Sequence, residues 1–184
     1  MKRKADPDLK QAPRPAFRPA PNDPPPLAAL SFIEQMLIWS MRLWVRQGQA
    51  GSSELVMLRD TWRLARSEQV FAEFDSCMTL LAIATNPPLQ VGALKTLTPT
   101  NDEARILAVL RAFQQGDADQ AKKALCARLP CAAVRVGSPV LETLARSLFQ
   151  ANHSLPARLW PLVEWDELGQ LTMESDRISA IGIH

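Results

Sequence analysis

The chain has no tyrosine, two histidines and three cysteines among 184 residues. These scarcities remove whole classes of chemistry. Di-iron bundles draw ligands from Glu-x-x-His pairs on facing helices, and that pattern occurs nowhere in the sequence. Cys126, Cys131 and His153 offer two thiols and an imidazole, but the second ligand pair that a structural zinc site needs is missing. We read both cysteines as small apolar residues filling gaps in a core. An odd, small number of cysteines does not make a disulfide framework. The seven glycines are scattered and form no phosphate-binding loop, and no G-x-S-x-G is present. The sequence therefore nominates no catalytic residue, no metal and no cofactor, and an enzyme is the less favoured class.

Long apolar runs are also missing. The most apolar stretch is "SFIEQMLIWSMRLWVR", residues 31–46. A membrane span takes roughly 20 mostly apolar residues, and Glu34 and Arg42 interrupt this shorter one. The N-terminus begins Met1-Lys2-Arg3-Lys4 but continues with Asp6, Asp8 and prolines instead of an apolar segment. That pattern is not an export signal, so a reducing cytoplasm is the expected compartment.

What is present is unevenly spread. Residues 1–26 hold eight of the fifteen prolines and six Lys/Arg against three Asp. Proline fixes φ and removes a backbone donor. Residues 1–28 are thus expected to be a disordered, basic, partly polyproline-II tail ahead of a domain at 29–184. Phe17, between Arg14 and Arg18, is its single aromatic residue and a candidate contact for a partner.

The rest reads as helices. Ser31 and Glu34 form a capping box, as do Thr100 and Glu103. The first box opens a helix whose Ile33, Met36, Leu37, Ile38, Met41, Trp44 and Val45 span a wide apolar arc. Gln35, Arg42 and Arg46 make its polar stripe, with Trp39 at the edge. A second helix runs over 53–66 with Leu55, Leu58, Trp62 and Ala65 inward. Ser67 caps a third over 68–84, with Val70, Phe74, Cys77, Leu81 and Ala84 inward, and "TNPP" ends it. Residues 86–99 are a loop or short extended segment. The Thr100 helix presents Ile106, Leu107, Leu110 and Phe113 and stops at Gly116. Asp117 caps the next helix, about 118–128, making an αα-hairpin. Ser138 followed by Pro139 predicts a sixth helix over 139–151. Residues 156–184 allow several readings. The expected fold is all-α: a single bundle of about six helices with an irregular C-terminal segment.

Two resemblances add to this. "LRAFQQGDADQAKKAL", residues 110–125, looks like one tetratricopeptide unit, without a second copy at a fixed period. The order of helix, linker, Leu97-Thr98, Asp102-Glu103 and further helices with Leu107 and Leu110, from Phe71 to about Ala157, resembles uncharacterised families of small helical alphaproteobacterial proteins. That resemblance implies a helical fold and a bacterial source, and no activity.

Arginine and tryptophan are enriched at interface hot spots. Trp39, Arg42, Arg46, Arg59 and Arg63 are accordingly the candidate partner-binding residues of the bundle, with another protein as the expected partner. The C-terminal segment, which holds Trp160, Trp165, Leu171 and Ile178, is the competing cover for Trp39. One alternative is a small-ligand protein or enzyme with a pocket near Met41, Trp44, Cys77 and Met78. A second is nucleic-acid binding through the Arg stripes of the first two helices, opposed by Glu54, Asp60 and Glu68. No membrane partner is expected, and the oligomeric state stays open. Glu68, Glu73 and Asp75 read as a solvated face, and Asp102 and Glu103 as helix-start residues.

Overall fold

A computed structural model describes residues 24–50 and 52–158. Among them the chain forms six helices: α1 (Phe32–Ala50), α2 (Ser52–Leu64), α3 (Phe71–Ala84), α4 (Asn101–Gln114), α5 (Ala118–Cys126) and α6 (Cys131–Gln150). No described residue lies in a strand, and no described helix is long and apolar enough to cross a membrane. The tail with Phe17 lies outside the described residues, as do residues 159–184.

Local signals set most of the helix ends. At α1, Ser31 N–H donates to the Glu34 carboxylate at 2.7 Å, and the Ser31 hydroxyl accepts from Glu34 N–H. Thr100 and Glu103 close the same reciprocal pair at α4. The Asp117 carboxylate accepts from Gln120 N–H at the start of α5. Three helices end in one way. The amides of Ser67, Asp117 and His153 return to the carbonyls of Trp62, Ala112 and Leu148, five residues back. The residue before each amide, Arg66, Gly116 or Asn152, has a positive φ. This is the Schellman closure, which satisfies carbonyls that the helix end leaves without donors.

Two expectations are corrected. Ser67 does not cap α3 with its side chain. It precedes a short 3-10 turn, Glu68–Val70, and its hydroxyl makes no capping bond. The sixth helix starts at Cys131, eight residues before the predicted start, and runs straight through Pro139. An interior proline costs about 3 kcal/mol. Here its ring is exposed, and the turns before it bury Val134, Gly137 and Ser138. A Cβ on Gly137 would stand 3.0 Å from Leu80. The glycine therefore permits the close packing of α6 on α3.

α4 is the central element and packs on α1, α5 and α6. Ten of its residues are buried, Asp102, Glu103 and Arg105 among them. The predicted core positions of α1 are buried at Ile33, Met36, Leu37, Ile38 and Met41, while Trp44 and Val45 are half-buried. On α2, Leu58 and Trp62 are fully buried, and Trp62 packs on Phe74 with ring centroids 5.1 Å apart.

Candidate functional site

The residues singled out as partner-binding are separated by the fold. Arg42 turns inward and is enclosed. Its guanidinium donates to both Glu103 carboxylate oxygens, at 2.8 and 2.9 Å, and to the carbonyls of Thr96 and Thr98. Neither side chain of the pair is exposed. Arg46 stays near the surface, paired with Glu54 at 3.2 Å. Arg63 pairs with Asp60 one turn away. The Arg59 guanidinium lies 5.6 Å from the centre of the Phe71 ring. With Arg42 inside, α1 contributes only Arg46 to the arginine surface considered for nucleic acid. Trp39 remains outside, 43% exposed.

The buried carboxylates act on the linker. Glu103 also accepts from Gly92 N–H and Thr100 N–H. Asp102 accepts from Gln90 N–H and from Arg128 at 2.9 Å. The helix-start reading of both residues holds locally, yet their larger part is to tie residues 90–100 to α1 and α4. Asp102 Oδ1 and Arg128 Nε have no protein partner. Both residues line a cavity of about 20 Å³ beside Thr85 and Leu129. That is room for about one water molecule.

Other titratable groups are equally structural. Asp75 is not part of a merely solvated face, because its carboxylate accepts from the Trp44 indole N–H at 2.8 Å. His153 Nε2 meets the Ser67 hydroxyl and lies 3.2 Å from the Ala65 carbonyl. Ser67 is fully buried and also donates toward Ala65 O. This serine–histidine contact therefore closes the α2 end on the α6 end and presents no accessible nucleophile. Among the described residues no group of three or more His, Cys, Asp or Glu is arranged to hold a metal ion. Met41, Cys77 and Met78, offered as pocket lining, are packed in the core. Burial pushes the Cys77 thiol up to about 12. Cys126 and Cys131 are exposed and do not fill core gaps as predicted. They stand at the end of α5 and the start of α6, where the chain turns at the surface.

Sequence reasoning missed the outer face of α2. Val56, Met57 and Leu64 are 59%, 47% and 82% exposed. At about 100° per residue they fall with Asp60 and Arg63 on one arc, opposite Leu58 and Trp62. The signal lies in "ELVMLRDTWRL", where apolar residues fit two faces and only one of them can turn inward. A shallow groove of about 600 Å³ lies between α3 and α6, lined by Asp75, Ile83 and Val136 among others. No family model, no curated protein and no solved structure matches this chain.

Proposed function

We propose that the protein is a non-catalytic interaction or accessory protein that docks another protein on the outer face of α2. The observation that carries this reading is the doubly apolar helix. A surface helix of a soluble protein turns one apolar stripe inward and a polar face outward. α2 instead shows Val56, Met57 and Leu64 to the outside, around the Asp60–Arg63 ion pair. Contiguous exposed apolar patches mark interaction sites. The fitting partner surface is an apolar ridge, since Arg59 and Arg63 already engage Phe71 and Asp60. The buried charges support the same class, since Arg42, Glu103 and Asp102 are all bonded within the fold. The basic Pro-rich tail with Phe17 supplies a second contact for the same partner. Three unpaired thiols, two of them exposed, suit a cytoplasmic location.

The test is a quantitative capture from lysate of the source organism with wild type and with Met57→Asp/Leu64→Asp. Both substitutions fall on exposed positions and leave the core intact. A protein held by wild type and lost with the double variant is the expected result. An unchanged set of captured proteins overturns the assignment to α2.

A further inference from the structure

The groove between α3 and α6 is a second surface, independent of α2. It has a volume of about 600 Å³ and is open to solvent on one side. Leu80 and Ile83 of α3 line one wall, and Ala133 and Val136 of α6 line the other. Ile83 and Val136 are 81% and 65% exposed, so each wall carries a large apolar side chain standing in water. Leu80 and Ala133 lie deeper, packed against the core. The charged residue of the groove is Asp75. One of its carboxylate oxygens accepts from the Trp44 indole N–H at 2.8 Å, and no described residue donates to the other. No lysine or arginine lines the groove. The neighbouring Ser76 hydroxyl is turned back to the Ala72 carbonyl. An occupant that covers the groove therefore takes Asp75 out of water and has to bring a cation to it.

Shape selects the class of occupant. A small-molecule pocket buries most of its ligand, whereas an open groove leaves one side of such a molecule in water. A helix suits the opening, because it lays down one apolar face and carries its own polar back. Asp75 to Ile83 spans about 12 Å along α3. That length takes three helical anchors at i, i+3 or i+4 and i+7, which span about 10 Å. We propose that the groove docks an amphipathic helix of a partner protein, with apolar anchors between Ile83 and Val136 and a lysine or arginine at the end that meets Asp75.

The test selects binders to the full chain from a phage-displayed library of helical peptides, apolar at i, i+3 and i+7 and randomised at the flanking positions. The expected peptides carry a lysine or arginine near one end. Their affinity is expected to fall at least about tenfold for Ile83→Asp/Val136→Asp, two exposed positions, and to be unchanged for Met57→Asp/Leu64→Asp. Asp75→Asn keeps an acceptor for the Trp44 indole and removes the charge, and is expected to weaken binding by about threefold. A library that yields no binder overturns the proposal. So do peptides without a basic preference, peptides indifferent to Ile83→Asp/Val136→Asp, and peptides lost with the α2 variant, which would occupy α2 instead. An independent measurement labels the chain with 5-fluorotryptophan and follows the Trp44 fluorine resonance, identified by Trp44→Phe. A selected peptide is expected to move that resonance through the Asp75 contact, and an unmoved resonance overturns the proposal.

Discussion

Arg42 and Glu103, 61 residues apart in the chain, form a fully enclosed two-pronged ion pair that joins α1 to the start of α4. Taking both charges out of water is costly, and the pair is tolerated because every prong is satisfied. Arg42 also holds two linker carbonyls, and Glu103 holds two amides. Arg42→Met leaves a buried carboxylate without its cation and is expected to destabilise the fold by about 3–5 kcal/mol. Urea unfolding measures this. A loss under about 1 kcal/mol would show that solvent reaches Glu103 readily.

Gly92 is tied to the same pair. A Cβ there would stand 2.8 Å from Arg42 Nη2 and 3.1 Å from its central carbon. An arginine terminus normally swings away from such an intrusion, but this one is held by four hydrogen bonds. Gly92→Ala is expected to cost about 1–3 kcal/mol. In the Arg42→Met background the same change is expected to cost much less, so a double-mutant cycle reads the coupling directly. Equal costs in both backgrounds would refute the contact.

Arg66 holds a left-handed backbone, φ 54°, at the Schellman closure of α2. That conformation strains a side chain with a Cβ, and glycine adopts it freely. Arg66→Gly is expected to stabilise the protein by about 0.5–1 kcal/mol, seen as a rise in Tm. A fall would mean that the arginine side chain contributes more than the backbone strain removes.

Glu34 links pH to stability. Burial pushes its carboxyl up, but the Arg158 hydrogen bonds and the Ser31 amide and hydroxyl outweigh this and hold it below its ordinary value of 4.5. A carboxylate lowered in the folded state stabilises fully above its unfolded value. That contribution is lost as pH falls through the lower, folded value. The stability difference between wild type and Glu34→Gln is expected to be full at neutral pH and to shrink below about pH 4.5. Denaturation curves across that range check it, and a difference independent of pH would rule it out.

The three thiols are expected to react in two classes. Cys126 and Cys131 are exposed, whereas Cys77 is buried with its thiol raised to about 12. Burial therefore keeps the Cys77 thiol protonated and shielded from reagent at about pH 8. Ellman's reagent should titrate two thiols on the native protein and the third only after denaturant. Three fast thiols would place Cys77 at the surface.

The local end signals were legible in the sequence: Ser31 with Glu34, Thr100 with Glu103, Asp117, and Gly116 after α4. Each is written within a few residues, because a cap joins a side chain to a backbone group three positions away. Periodicity likewise announced the inward faces of α1, α2 and α4. The same signals misplaced the start of α6, since Ser138-Pro139 is a locally valid helix start. The packing of Val134 and Gly137 against α3 decided for a longer helix.

What the sequence by itself determined is the class, an all-helical bundle, and most of its helix ends, because those depend on neighbours along the chain. The tertiary structure alone decided which charges are inside. Arg42, Arg46, Arg59 and Arg63 look alike by residue type and spacing, yet only Arg42 finds a carboxylate, two carbonyls and a glycine-lined approach to its guanidinium. Its partner is 61 residues away, and no local pattern encodes that meeting. The outer face of α2 was likewise fixed by packing, which took Leu58 and Trp62 inward and left Val56, Met57 and Leu64 facing the solvent.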